Sequence, residues 1–260
     1  MNFVKVISYN IWFEEILESE RIESLLETLY NEDPDIICLQ EVKPYVHEEL
    51  KKKLIGYDYC FPNKIKKSYG CCIYSKYKIS ECANFEYNNS KMGRELLIVK
   101  IDYPVLEVDM GISKKDIIVA NSHFESLFKR NFENKEKIEQ YKESQKILDK
   151  LYDEYHNVIF CSDTNILDIE EDSFFPFGWK DCWKEKGKDD DKEKYTYDGK
   201  QNLYLQMRKI PYQSRLDRII YKSKILKCQD YTILKGAKHN NIEPSDHFGI
   251  EGKFEINLNL

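Results

Sequence analysis

The chain has 260 residues, with 40 Lys and Arg against 46 Asp and Glu, a formal charge of −6. That balance excludes a protein that coats long nucleic-acid tracts through a basic surface, so any nucleic acid must be met locally, at an end or a short stretch. With 42% apolar and 13% aromatic residues, the chain can bury a substantial core, and residues 1–260 read as a single α/β domain, though length alone would also permit two.

Residues 3–11 alternate apolar and polar and predict a strand ending near Asn10. The N-terminus MNFVKVISYNIW shows no basic region followed by an uninterrupted apolar run. No apolar stretch approaches the roughly 20 residues that span a bilayer. An intracellular protein of the nucleus or cytoplasm, with no membrane partner and monomeric, is therefore expected. Residues 19–31 place Ile22, Leu25, Leu26 and Leu29 at helical spacing, with Ser19 as N-cap and Asp33 and Pro34 as the stop. Residues 35–42 form a short apolar run, long enough for a buried strand, and 44–54 read as a helix.

Strands are then predicted over 57–61, 69–75, 79–87, 95–103 and 116–122, all rich in Tyr, Ile and Val. Residues 132–155 are the longest helical pattern, with Ile138, Tyr141, Ile147, Leu148 and Leu151 on one face. A strand follows over 157–161. The mixed-charge run 184–194 (KEKGKDDDKEK) reads as a solvated loop, and the last strands are 195–198, 216–222, 228–234 and 248–256. Strands and helices mix without regular βαβ alternation, which favours two packed sheets flanked by helices. The eight cysteines form no Cys-x-x-Cys pair or zinc spacing; Cys38 and Cys161, inside apolar runs, read as buried hydrophobes in a reducing compartment.

Polar motifs close several apolar runs: SYN with Asn10, LQEV with Glu41, NSHFES with His123, SDTN with Asp163 and Asn165, RLDRI with Asp217, and PSDHFG with Asp246 and His247. Singly, each has a plain reading. Glu41 can be an edge residue turning into water, Asp163 and Asn165 an Asx turn, and His123 a satisfied core histidine. Together they supply what a metal-assisted phosphodiesterase needs: a hard-cation ligand, a base for water, and donors around a phosphate. Asp163 and Asn165 share one face if the strand continues through them. Asp217 interrupts a strand-like run and needs a partner if buried; a histidine held by it would be oriented and favoured as imidazolium. No Gly-rich phosphate loop or nucleophile elbow is present, so direct attack by water is the simpler chemistry.

These motifs resemble the endonuclease/exonuclease/phosphatase superfamily. With KPYVHEELKK, SKMGRELL, YTYDGKQN and RLDRIIY, they most resemble its type 2 tyrosyl-DNA phosphodiesterases. The resemblance implies a two-sheet α/β sandwich, four layers in the order α-β-β-α, and Mg²⁺ or Mn²⁺ as cofactor. Glu41 would bind the metal with Asp246 beside it, and Asn10 would assist at metal and phosphate. Asp163 would activate water and Asn165 orient it. His123, His247 and Ser126 would contact the phosphate, with Asp217 orienting His247. The implied activity is hydrolysis of 5′-phosphotyrosyl linkages between protein and DNA or RNA ends, in repair of covalent adducts. Another phosphoester hydrolase or nuclease of the superfamily is the first alternative, and a catalytically silent nucleic-acid-binding module the second.

Some positions depart from the pattern. Ser162 stands where relatives have Gly, Leu216 where an aromatic is common, and Leu167 and Phe128 where they carry Arg. These losses predict a weak charge grip on phosphate, with stacking on Tyr197, where relatives carry Trp, taking more of the load. The alternative reading of Tyr197 is a core strand aromatic. The N-terminal ubiquitin-binding extension of many relatives is expected to be absent, because the chain begins nine residues before Asn10.

Overall fold

The computed structural model describes residues 2–107, 111–126, 135–167, 170, 178–186, 194–236 and 241–258. Runs rich in Ile, Val and Tyr build two six-stranded sheets. In the first, β1 (Asn2–Asn10) runs parallel to β2 (Ile36–Val42). That sheet continues through β4 (Gly70–Ser75) and β3 (Tyr59–Phe61) on one side, and through β14 (Gly249–Ile256) and β13 (Leu226–Leu234) on the other. In the second, β7 (Gly111–His123) runs parallel to β8 (Asn157–Asp163). It continues through β6 (Glu95–Glu107) and β5 (Ile79–Glu86) on one side, and β12 (Asp217–Ser223) and β9 (Lys180–Asp181) on the other.

Parallel neighbours need a crossover, and each pair has a helix in it: α1 (Glu18–Glu32) between β1 and β2, α3 (Lys135–Tyr155) between β7 and β8. Alternation along the strands then sorts the core into three layers. Val4, Val6, Cys38, Val99, Val119, Cys161 and Ile219 meet between the sheets. Ile7, Ile37 and Leu39 face Ile22, Leu25, Leu29 of α1 and Val46, Leu50 of α2 (Pro44–Lys53). Ile98, Ile118, Ala120 and Phe160 face Tyr141 and Leu148 of α3. This is the expected α-β-β-α sandwich. No helix among the described residues is long and apolar enough to cross a membrane, and all eight cysteines are free, with Cys82 exposed and Cys60 half-buried.

Several local expectations are corrected. Helix α1 begins at Glu18 after Leu17 in a left-handed conformation, so Ser19 lies inside the first turn and caps nothing. The β6–β7 hairpin extends beyond the predicted 103 and 116, because twelve registered pairs from Leu96↔Ser122 to Glu107↔Gly111 carry Pro104 and the charged Lys114–Asp116 region as well. The buried residues of α3 are Lys137, Gln140, Tyr141, Ser144 and Leu148; Ile138, Ile147 and Leu151 are only half-buried. The helix turns a partly polar face inward, which apolar periodicity does not register. Within the charged run, Lys184 and Glu185 belong to a short helix, α4 (Cys182–Glu185), and 187–193 lie outside the described residues. Two short strands, β10 (Tyr197–Asp198) and β11 (Gln213–Ser214), pair across the unpredicted helix α5 (Leu203–Met207).

Candidate active site

Ligand sites in open α/β sheets lie beyond the carboxyl ends of the parallel strands. Here both parallel pairs end at the same place. Asn10 ends β1 opposite Gln40, and His123 ends β7 opposite Asp163, which ends β8. Asn10 Nδ2 donates to Asp163 Oδ2 at 2.9 Å across the two sheets. Beneath them, fully buried Gln40 donates to Asn121 Oδ1 at 2.8 Å, and Asn121 donates back to the carbonyls of Leu39 and Cys72, each at 2.9 Å. This polar bridge fixes the sheets' relative position under an open cleft of about 400 Å³.

The cleft is lined by Glu41, Arg94, His123, Ser126, Asp163, Asn165, Leu167, Tyr197, Arg208, Asp246 and His247, among others. Three of its non-glycine residues hold positive φ: Trp12 at 60°, Glu41 at 60° and Asn165 at 50°. Each such position costs on the order of 1–3 kcal/mol unless its surroundings impose it. For Glu41 the cause is a register shift between Leu39 and Val42 in the β2–β4 pairing, a bulge that turns the carboxylate into the cleft instead of along the strand. For Trp12 the cause is Arg21, fully buried in α1. Its guanidinium donates to the carbonyls of Ile11 (2.8 Å), Trp12 (3.1 Å) and Ile16 (2.8 Å) and lies 4.8 Å from the Trp12 ring.

Asn165 corrects an expectation. The strand stops at Asp163, so the two side chains do not share a strand face. An Asx turn takes over: Asn165 N donates to Asp163 Oδ1 at 3.1 Å and its side chain to the Phe124 carbonyl at 2.9 Å. The turn and the placement of Asn165 in the cleft are therefore one feature, not alternatives.

The two histidines differ in charge. Arg94 Nη1 lies 2.8 Å from His123 Nδ1. A guanidinium can only donate, so Nδ1 accepts and the proton sits on Nε2, 3.3 Å from Asp163 Oδ2. Burial and the Arg94 charge push the His123 pKa well below the ordinary histidine value. His247 Nδ1 instead meets Asp217 Oδ2 at 2.8 Å, and its Nε2 lies 3.9 Å from Asp163 Oδ2. Burial opposes the imidazolium there, but Asp217, Asp163 and Asp246 outweigh it and raise the pKa well above the ordinary value. Asp217 is fully buried and anchored through its backbone N–H to Thr196 Oγ1 at 3.1 Å. Asp163 is buried too, yet its pKa is lowered, because His123, His247, Asn10 and Asn165 offset the burial.

Glu41 and Asp246 are treated differently by their surroundings. Burial, and then the Asp246 charge, push Glu41 up to about 7. Burial likewise raises Asp246, against the opposing charges of His247 and of Arg208, whose Nη1 lies 3.5 Å away. Two carboxylates raised by burial, Glu41 further by the Asp246 charge, on an open polar cleft, form a hard-oxygen donor set whose repulsion a divalent cation would relieve. The residues present therefore fit such an ion. A second grouping, Asp163, Asp217 and His247, has ligand atoms within 4.8 Å of one another, but His247 spends its Nδ1 on Asp217 and that pair reads as an oriented imidazole.

The Endonuclease/Exonuclease/phosphatase family model matches residues 7–247. The chain belongs to the endonuclease/exonuclease/phosphatase family. Among curated proteins it is 29% identical over 252 residues to tyrosyl-DNA phosphodiesterase 2 of Xenopus laevis, covering 92% of this chain and 63% of that one. The chain thus spans less than two thirds of that relative's length. Its fold is shared with D. rerio TDP2 complexed with single strand DNA product (TM-score 0.80, 24% identity, 98% of this chain and 100% of that one). It is also shared with a truncated Caenorhabditis elegans TDP2 (TM-score 0.80, 24% identity, 97% of each chain).

In this family member every site residue named from sequence and lying in a motif reaches the cleft or the residues forming it. Ser126 lines it, with its hydroxyl 3.3 Å from Met92 Sδ. Tyr197 is half-buried, stacked on Tyr212 at 5.8 Å and edge-on to His247 at 5.0 Å. Leu167 lines the cleft, and Phe128 lies outside the described residues. The expected poverty of cationic groups is corrected: Arg94 and Arg208 both line the cleft. Arg94 lies in the SKMGRELL segment directly before a strand, where a buried guanidinium needs partners; that was the available signal. Arg208 follows α5, a helix too short to announce itself by periodicity.

Proposed function

We propose that this chain is a single-domain, Mg²⁺-dependent phosphodiesterase that hydrolyses the 5′-phosphotyrosyl linkage joining a protein to a DNA or RNA end. The observation that carries the proposal is the pairing of a buried, ionised Asp163 with an Asp217-held His247 in one cleft. The similarity to tyrosyl-DNA phosphodiesterase 2 supports the substrate class, and the net charge of −6 fits recognition of an end better than of a long tract. With this chemistry the protein would act inside the cell, where covalent adducts on nucleic acid are repaired.

Asp163 accepts the proton of an attacking water, and Asn10 and Asn165 hold its carboxylate by their N–H groups, leaving its direction fixed. Asn165 and Ser126 orient water and phosphate. The water oxygen bonds phosphorus while the bond from phosphorus to the phenolic oxygen breaks, and the electron pair leaves with that oxygen. A phenol, with pKa near 10, leaves with little acid assistance. His247 as imidazolium donates to a non-bridging oxygen as its charge grows, and neutral His123 holds a second face of the phosphate. Glu41 and Asp246 would hold the ion; when bound, it neutralises charge developing on the phosphoryl oxygens. Mg²⁺ suits a site with few carboxylates and room for substrate oxygens, and Mn²⁺ can replace it.

The test is a metal-dependent cleavage panel on matched oligonucleotides carrying a 5′-phosphotyrosine, an abasic site or a plain 5′-phosphate. Preferred release of tyrosine with Mg²⁺ is expected. Preferred cutting at the abasic site would make it a nuclease of the family, and no metal-dependent turnover on any substrate would make it a binding module.

A further inference from the structure

The buried face of α3 is polar where it approaches the cleft. Lys137 is 0% exposed, an expensive state for an ammonium unless its hydrogen bonds are met. Its Nζ donates to the backbone carbonyl of Asn165 at 2.8 Å and to both oxygens of Glu170, at 3.0 and 2.8 Å. Glu170 in turn accepts from the Leu167 backbone at 2.8 Å. Asn165 and Glu170 thus meet at one ammonium group, and Leu167 is tied to the same carboxylate.

Asn165 needs such a hold. It is a non-glycine residue at φ 50°, a conformation that L side chains leave readily when unsupported. Its amide N–H and its side chain are engaged by the ends of the two neighbouring strands, through Asp163 Oδ1 and the Phe124 carbonyl. Its carbonyl is engaged by Lys137, from a different layer of the sandwich. We propose that Lys137 is a positioning residue: through the Asn165 carbonyl it holds the Asx turn, and thereby sets the direction of the Asn165 side chain and of the N–H that Asp163 receives. Lys137 touches neither water nor phosphate. Without it the half-buried carbonyl loses its ammonium partner, the turn relaxes, and Asn165 leaves its place beside Asp163. Binding of substrate through Arg94, Tyr197 and the ion is untouched, so the loss falls on turnover.

The proposal rests on Asn165 acting in the reaction, and the test separates the two. The full chain with Mg²⁺ is assayed on a 5′-phosphotyrosyl oligonucleotide as wild type, Lys137→Met, Lys137→Arg, Asn165→Ala and the Lys137→Met/Asn165→Ala double variant. Lys137→Met should lower kcat on the order of 100-fold, the usual penalty for displacing a reacting group by about 1 Å, with KM changed less than about threefold. Lys137→Arg, which keeps the cation and its N–H donors, should restore most of the rate. In the Asn165→Ala background Lys137→Met should cost less than about twofold more, since two residues acting as one unit are not additive. An undiminished kcat in Lys137→Met, a fully multiplicative loss in the double variant, or no rescue by a folded Lys137→Arg overturns the proposal. An undiminished kcat in Asn165→Ala overturns instead the role assigned to Asn165. If thermal melts show Lys137→Met unfolded, Lys137→Gln, which keeps a neutral N–H donor, carries the same cycle.

Discussion

In the first sheet the parallel strands β1 and β2 carry Asn10 and Glu41 near their ends, and in the second β7 and β8 carry His123 and Asp163. The backbone around each pair is the same: an antiparallel neighbour on either side and a helical crossover between the parallel strands. The chemistry is not. Glu41 is pushed up to about 7, by desolvation first and then by the Asp246 charge. Asp163, more buried still, receives two imidazoles and two amide N–H groups and stays ionised. Strand topology delivers a side chain to the cleft; the groups delivered by the other elements decide whether it waits for a cation or for a proton.

The sharpest way to break that comparison is to neutralise each carboxylate. Asp163→Asn should lower kcat by about 10³-fold or more, within the range lost with a general base, and leave metal affinity unchanged. Glu41→Gln should also cut turnover by orders of magnitude, but with a clear loss of Mn²⁺ affinity by calorimetry. Equal metal binding in the two variants would remove the distinction between the sheets.

A smaller effect is expected behind the second sheet. Asp217→Asn leaves His247 in place but takes away the charge that sustains its imidazolium, so kcat should fall about 100-fold at saturating substrate. A rate above half of wild type would mean that His247 acts as a neutral group, like His123. Smaller again is Arg94→Gln. It should raise KM about tenfold and reduce the salt slope of binding by about one, because one cleft-lining cation is gone. An unchanged slope would show that Arg94 serves only to fix the His123 tautomer.

The smallest expected change concerns a carboxylate of the first sheet that contributes nothing to the cleft. Glu251 on β14 is raised to about 7, chiefly by burial, with Lys5 Nζ 3.5 Å away as partial compensation. The folded state then binds more protons than the unfolded one between the ordinary value of 4.5 and about 7, so stability from this group is present below that window and is lost as pH rises through it. Glu251→Gln should flatten the fall in urea midpoint between pH 5 and pH 8. A midpoint that falls equally in both proteins assigns the effect elsewhere.

Much of this was readable from residues alone. The strands near the site have their alternation or apolar run with a polar motif at one end, at the close of β1, β2, β7 and β8 and at or before the start of β12 and β14, because strand periodicity and burial act over a few neighbouring residues. Asn10, Glu41, His123, Asp163, Asp217 and His247 could be named only together: each alone has a plain structural reading, but the set supplies what a metal-assisted phosphodiesterase needs and matches the family's motifs. The four layers followed from the mixture of helical and strand patterns, together with the family resemblance.

What the sequence could not decide is set by contacts between residues far apart in the chain. The bulge at Glu41 depends on the register of β2 against β4. The opposite charge states of His123 and His247 depend on Arg94 and Asp217, respectively 29 and 30 residues away. The buried Lys137 reads as a surface residue in any periodicity plot, because what makes its burial tolerable, the Asn165 carbonyl and Glu170, arrives from another strand-end loop. The sequence alone determined which chemical groups were present and which elements carried them. Only the tertiary structure decided their protonation and direction, because electrostatic and hydrogen-bond energies depend on distance in space and are blind to distance along the chain.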